Sequence, residues 1–271
     1  MGQSSTQAAL RYLIPTGEKP IYIASEGGAD AQLSINADFE DKVVDITDAR
    51  QLHPSASLDK QGFELHRHLS SVDDFYAAAR QPTPYEAELR ELVLAITGGH
   101  ELLVFDHTLR SDSPAIRRQH NIRETASVIH NDYTEASAEK RLRDLLPADE
   151  AEKCLQSRFA IINVWRSIAG TVVQTPLACC DAQTLAEEDI VASERRAKDR
   201  IGELELVSFN PDHCWYYFPA MTREEVLLIK TFDSAGDRYA RRSIHTAFNN
   251  PLAPPDAKPR ESIESRMLVF Y

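Results

Sequence analysis

Ser127-Val128-Ile129-His130-Asn131-Asp132 is the stretch from which the rest of the chain can be read. Its β-branched residues favour an extended strand. In a strand alternate side chains share a face, so His130 and Asp132 point one way and Asn131 the other. One short segment thus supplies an imidazole and a carboxylate together. A second histidine would complete a 2-His-1-carboxylate facial triad, which fills one face of an iron(II) ion and leaves the opposite face open. His-x-Asp by itself is common by chance, so the reading depends on what lies downstream.

Arg242-Ser243-Ile244-His245-Thr246-Ala247-Phe248 is a second β-branched and aromatic segment, and it offers His245 as the third ligand from across a barrel. Arg260-Glu261-Ser262 follows fifteen residues after that histidine (260 − 245). On a strand, Arg260 and Ser262 share a face, so a planar guanidinium fork and a hydroxyl can grip the far carboxylate of a dicarboxylate cosubstrate. His130, Asp132, His245 and Arg260 in this order spell the set of an iron(II) oxygenase that consumes 2-oxoglutarate and dioxygen.

The likeness extends beyond these residues. The chain resembles a family of non-haem iron(II)/2-oxoglutarate hydroxylases and desaturases that includes aspergillic-acid-type hydroxylase/desaturases, gibberellin desaturase-like proteins and cephamycin methoxylase subunits. The segments that carry the resemblance include Val104-Phe105-Asp106-His107-Thr108-Leu109-Arg110, His130-Asn131-Asp132-Tyr133-Thr134, Asn163-Val164-Trp165-Arg166, Pro176-Leu177-Ala178-Cys179-Cys180-Asp181, Trp215-Tyr216-Tyr217-Phe218-Pro219 and Pro259-Arg260-Glu261-Ser262-Ile263-Glu264. They cover residues 100–271. The resemblance implies iron ligation by His130, Asp132 and His245 and carboxylate binding by Arg260 and Ser262. His213, which follows Asp212 and precedes a strand, rivals His245 as third ligand; the resemblance and the spacing to Arg260 favour His245.

Composition fits an enzyme rather than a charged scaffold. With 271 residues, 42% of them hydrophobic, the chain can bury a sizeable core in one domain spanning 1–271. A formal charge of −12 disfavours nonspecific attraction to nucleic acid or an anionic membrane. No apolar run approaches the roughly 20 residues of a membrane span, and the amino terminus lacks a secretory pattern, so a cytoplasmic location is expected. Met1-Gly2-Gln3-Ser4-Ser5-Thr6 fits a loose myristoylation pattern that many unmodified termini share. Cys154, Cys179, Cys180 and Cys214 lack zinc spacing and read as reduced thiols.

The expected fold is mostly β with flanking helices around a double-stranded β-helix, or jelly roll, with the metal at the barrel mouth. Early strands are expected at 20–24, 42–46 and 63–67, forming an outer sheet, with helices at 72–80 and 84–97 packed outside it. Later strands are expected at 101–107, 127–132, 158–166, 203–209, 214–218, 226–232, 243–248 and 263–271. Two helical insertions are expected, at about 134–157 and 182–201. The second, rich in charge, reads as a solvated helix rather than a lid over substrate.

Substrate contacts are less legible. Asn163 and Trp165 share a strand face with Arg166 opposite, so either set could border the pocket while the other packs. Arg110 could hold an acidic substrate or make a surface ion pair. His66 and His68 repeat the same-face spacing but lack a carboxylate at ligand spacing and read as structural. Lys230 and Asp233 read as a structural pair. The function expected is hydroxylation or desaturation of a small metabolite in secondary metabolism, with self-association or a partner subunit left open. Two rivals stand beside it: a cupin-type metal enzyme that needs no Arg260, and a noncatalytic partner subunit of the same fold, which should lack turnover alone. Against the latter, all four chemically essential positions are filled.

Overall fold

The computed structural model describes residues 5–81, 84–198, 200–236 and 238–271. Most of the amino-terminal modification pattern therefore lies outside the described residues. The carboxy-terminal strand shows how the fold arises. β15 (Glu261–Phe270) lies within a five-stranded antiparallel sheet, between β8 (Phe159–Ser167) and β6 (Glu101–Ser111). Beyond β8 come β13 (Glu225–Asp233) and, at the edge, β5 (Phe63–Arg67). One face of β15 carries Ile263, Met267 and Val269, which bury against Leu89 and Val93 of helix α2 (Pro84–Thr97). The other face carries Ser262, Glu264 and Arg266 before turning apolar at Leu268 and Phe270. Period-two alternation thus places a buried polar row inside the molecule and an apolar row under the helix.

The second sheet has ten strands. From one edge it runs β1 (Ser5–Ile14), β4 (Asp38–Asp48), β12 (Trp215–Tyr217), β9 (Leu177–Cys180) and β14 (His245–Ala247). It continues with β7 (His130–Asn131), β11 (Arg200–Val207), β10 (Ile190–Ala197), β2 (Ile21–Ile23) and β3 (Ser34–Asn36). The two sheets meet through Phe63, Trp165, Leu227 and Ile229 from one and Leu177, Cys179 and Ala247 from the other. This is the two-sheet jelly-roll architecture expected from the sequence. The strand at 63–67 and the helix at 84–97 fall where expected. α4 (Glu135–Leu145) and α5 (Ala148–Cys154) supply the first helical insertion and cover the apolar end of β15 through Ala138, Leu142 and Ala151.

Three expectations need correction. The segment at 182–201 is not a solvated helix: two short 3-10 turns lead into β10, whose residues Ile190–Ala197 pair antiparallel with β11. Its alanines, glutamates and arginines are good helix formers, but that preference amounts to only a few tenths of a kcal/mol per residue, and a ladder of backbone bonds to β11 and β2 outweighs it. The helix at 72–80 shrinks to one turn, α1 (Phe75–Ala78), capped by Asp74. Finally, α2 packs not on an early outer sheet but on β6, β8 and β15, because those strands present the larger buried apolar face. Among the described residues no helix is long and apolar enough to cross a membrane.

Candidate metal centre

His130 and His245 are brought together by strand register. β14 pairs antiparallel with β7 so that His245 lies directly opposite His130. Directly opposed side chains on one face of a sheet stand about 5 Å apart, and the two imidazole rings have centroids 4.6 Å apart. Asp132 follows one residue beyond the end of β7, and its Oδ1 lies 3.7 Å from His130 Nε2. One ligand atom from each of the three falls within 4.8 Å of the others. Small side-chain rotations would close that spacing on metal–ligand bonds of about 2 Å.

Each ligand is held by a neighbour that fixes which atom faces the metal. His130 Nδ1 lies 2.8 Å from the Val128 carbonyl and His245 Nδ1 3.2 Å from the Ser243 carbonyl. Protons on both Nδ1 atoms leave both Nε2 lone pairs for a metal. Burial, reinforced by His245, pushes the His130 imidazole down to about 3, so it is neutral in ordinary solution. Burial would raise the Asp132 carboxyl, yet the Arg266 guanidinium, with the two histidines, outweighs it and holds Asp132 well below the usual carboxylate range. The donor set is therefore two imidazoles that present Nε2 and one carboxylate, which suits a divalent iron ion with an open face.

Arg266 is the residue that reading the sequence missed. Its Nε donates to Asp132 Oδ2 at 2.8 Å, Nη1 to Asp106 Oδ2 at 2.6 Å and Nη2 to Glu264 Oε2 at 2.6 Å. Asn163 Nδ2 bridges Asp132 Oδ2 at 2.7 Å and Glu264 Oε1 at 2.9 Å. Asp132 Oδ2 is thus committed to two donors, and Oδ1 accepts no hydrogen bond from any described residue. The signal was present in the period-two row Arg260, Ser262, Glu264, Arg266, because a strand seldom buries so many polar groups unless they bond one another.

The remaining sequence candidates separate by position. Arg260, 3% exposed, donates from Nη1 to the Thr175 carbonyl at 2.8 Å and from Nε to Ser262 Oγ at 3.3 Å. Its guanidinium lies 5.0 Å over the Trp165 ring. Nη2 makes no hydrogen bond to any described residue, and Ser262, acting as acceptor, keeps its own proton to donate. Burial and the nearby Arg110 push the Arg260 guanidinium down to about 10, so it remains charged at neutral pH. Trp165 Nε1 is buried without a hydrogen-bond partner among the described residues. Arg110 anchors to the Glu124 carbonyl at 2.8 Å.

Arg166 is not brought to the cluster. It projects from the opposite face of β8, over Phe75 and Tyr85, and bonds His68 Nδ1 at 2.6 Å. Asn163 serves the ligand carboxylate from the metal side. His66 pairs with Glu64 at 2.7 Å, and Lys230 pairs with Asp233 at 2.9 Å, both as structural contacts. His213 sits between Tyr12 and Asp189, at 3.4 and 3.1 Å, outside the cluster. The four cysteines are free thiols.

Behind the metal face, Asn131 points away from the ligands as alternation requires and donates to Glu205 Oε2 at 2.8 Å. Glu205 also meets Arg242 Nε at 3.2 Å, yet burial outweighs both and pushes its carboxyl up to about 7. Below the ordinary glutamate range both folded and unfolded chains hold this proton, and the group costs nothing. Between that range and pH 7 only the unfolded chain ionises, so stability falls as pH rises, by on the order of 3 kcal/mol once pH exceeds 7. Glu205→Gln should therefore raise the unfolding midpoint at pH 8 and leave it unchanged at pH 4. An equal effect at both pH values in thermal melts would refute this account.

The chain is similar to a family and to several known proteins over most of its length. The family described as an oxidoreductase/YMDC permease-like domain matches residues 10–270. Hydroxylase/desaturase CTB9 of Cercospora beticola is 32% identical over 255 residues, 86% of this chain and 78% of that protein. The Fe(II)/2-oxoglutarate-dependent dioxygenase nvfI of Aspergillus novofumigatus is 32% identical over 253 residues, 88% and 87% of the two chains. A solved structure of the iron and alpha-ketoglutarate-dependent endoperoxidase NvfI superimposes with a TM-score of 0.86 at 27% identity, over 100% of this chain and 99% of that one.

Proposed function

Because the chain belongs to the family of Fe(II)/2-oxoglutarate-dependent hydroxylases and desaturases, we propose that it oxidises a small secondary metabolite at the cluster of His130, Asp132 and His245. It is an oxidoreductase whose cofactor is iron(II) and whose cosubstrates are 2-oxoglutarate and dioxygen. The observation that carries the site assignment is the register of β7 against β14, which sets two histidines face to face beside a carboxylate.

Iron, when bound with 2-oxoglutarate, would let dioxygen take two electrons from 2-oxoglutarate, giving succinate and carbon dioxide, and two from the substrate. The protein's part is geometric. His130 and His245 present Nε2 because backbone carbonyls hold Nδ1–H. Arg266 and Asn163 hold Asp132 by Oδ2, so that Oδ1 is the oxygen that would ligate the metal. Arg260 offers a free Nη2 and Ser262 a free hydroxyl proton to the distal carboxylate of 2-oxoglutarate, with Trp165 stacked behind. Whether hydroxylation, desaturation or ring formation follows depends on how the substrate is held relative to the oxidant.

The test is an anaerobic titration with iron(II) and then 2-oxoglutarate, read by the weak visible charge-transfer band of the chelate. Wild type should develop the band. In His245→Ala, iron affinity should fall by more than the roughly 10- to 100-fold that loss of an outer hydrogen-bond partner costs, and no band should form. Iron binding without a band in wild type would remove 2-oxoglutarate from the reading and favour a cupin-type metal enzyme.

A further inference from the structure

We propose that the substrate is an anion whose carboxylate or phosphate is held by Arg123, Arg141 and Arg195 in a cavity reaching the metal cluster; this rests on the oxygenase reading of that cluster. The cavity measures about 650 Å³, within the range that encloses a small organic ligand. Asp132, the carboxylate of the metal cluster, and its partner Arg266 line it, and Phe105, Tyr133 and Ile201 give its walls apolar surface.

Its charges do not balance. Six cationic side chains line it against three carboxylates, Asp106, Asp132 and Asp144. Lys140 takes Asp144 at 2.7 Å, and Arg266 takes Asp106 and Asp132 at 2.6 and 2.8 Å. Four are left with no ion pair to any described residue: Arg200, at the start of β11, and the three on which the anion is placed, Arg123, Arg141 and Arg195. These three come from separate elements: the loop after helix α3 (Pro114–His120), helix α4 and strand β10. Arg141 lies 4.6 Å over the Phe105 ring, and its buried Nε has no hydrogen-bond partner among the described residues. Burial pushes the Arg123 and Arg195 guanidinium groups down, with Arg110 adding to the effect on the first and Arg266 on the second. Both are therefore partly withdrawn from water and crowded by like charge, an arrangement that an anion would relieve.

Composition does not explain this. The chain carries a formal charge of −12, so a positive enclosure is a local arrangement against the overall field. Loading the metal site does not neutralise it, since the two negative charges of 2-oxoglutarate offset those of iron(II) and the cosubstrate has its own guanidinium in Arg260. A substrate anion seated on these arginines would project its apolar body along Phe105 and Tyr133 toward Asp132.

The experiment uses wild type, Arg123→Gln, Arg195→Gln and Arg195→Lys, each loaded anaerobically with iron(II) and 2-oxoglutarate. Each is titrated calorimetrically with 4-phenylbutyrate, its methyl ester, and 3-phenylpropyl phosphate. Wild type should bind at least one anion about tenfold or more tightly than the uncharged ester, the scale of a charged hydrogen bond. Each glutamine variant should lose most of that preference, and Arg195→Lys should retain part of it. Whichever anion binds tighter names the head group. A wild type that shows the chelate band but binds ester and anions alike overturns this inference alone, as does a preference that survives both glutamine variants. A glutamine variant that weakens the chelate band while keeping the anion preference assigns the arginines to the cosubstrate and also overturns it. Absence of the band in wild type, before any probe is added, overturns the oxygenase reading itself.

Discussion

Arg266→Met is expected to destabilise the metal-free protein by about 3–5 kcal/mol at neutral pH, the cost of leaving buried charge uncompensated. Arg266 is 9% exposed and supplies hydrogen bonds to Asp132, Asp106 and Glu264. Asp132 and Glu264 are themselves largely enclosed, at 14% and 7% side-chain exposure. Without the guanidinium these two carboxylates face each other across Asn163 with no cation between them. Asp106, 42% exposed at its side chain, adds little because water screens it.

The sign with pH follows from the depressed Asp132 carboxyl. A carboxylate held low in the folded state contributes stability above its unfolded value and loses it as pH falls through the folded one. The gap between Arg266→Met and wild type should therefore be widest near neutrality and close on acidification. Iron affinity should fall as well, by roughly 10- to 100-fold, because Asp132 loses the partner that turns Oδ1 to the metal. Arg266→Lys should recover only part, since an ammonium cannot bond three carboxylates in a plane. Urea denaturation of the apo-protein and iron titration check both effects. A variant within about 1 kcal/mol of wild type, the scale of an ordinary surface pair, would show that Arg266 is not the hub of this network.

Arg260→Ala should weaken 2-oxoglutarate by about a hundredfold or more while leaving iron binding alone unchanged. Charged hydrogen bonds of the guanidinium–carboxylate kind contribute about 1.5–3 kcal/mol each, and Arg260→Ala removes both the unengaged Nη2 donor and the positive charge behind it, leaving only the Ser262 hydroxyl. Arg260 makes no hydrogen bond to His130, Asp132 or His245, so the first step of the titration should not notice its loss. The chelate band should appear only at much higher 2-oxoglutarate, and Ser262→Ala should show the same defect more mildly. Arg260→Lys should not restore affinity, because a point charge lacks the fork and the stacking on Trp165 at 5.0 Å. Unchanged 2-oxoglutarate affinity in Arg260→Ala would place the cosubstrate elsewhere in the cavity or remove it from the chemistry.

Much of the site was legible because strand chemistry is local. His130 and Asp132 announce a shared face through period-two spacing, and Arg260 with Ser262 does the same. The α2 helix was legible from Leu89, Leu92, Val93 and Ile96 at helical spacing. Less legible was the role of Asn163, which could not be told from a substrate contact until its amide was seen on Asp132 and Glu264. Arg166 looked equally eligible, and only the packing of α1 and α2 against β8 sent it to the outer side with Phe75 and Tyr85.

By itself the sequence determined the donor types and their pairing along each strand, because side-chain alternation depends only on the backbone of a few consecutive residues. Only the tertiary structure decided what strands meet. The register that sets His245 opposite His130 joins segments more than a hundred residues apart, and local propensity carries no information about such a pairing. The same holds for 182–201: its composition suits a solvated helix, but the ladder to β11 makes it a hairpin strand and turns Arg195 into the cavity. Backbone hydrogen bonding between distant segments, which outweighs helix preferences of a few tenths of a kcal/mol per residue, is the physical reason that the ligands could be read in advance and their surroundings could not.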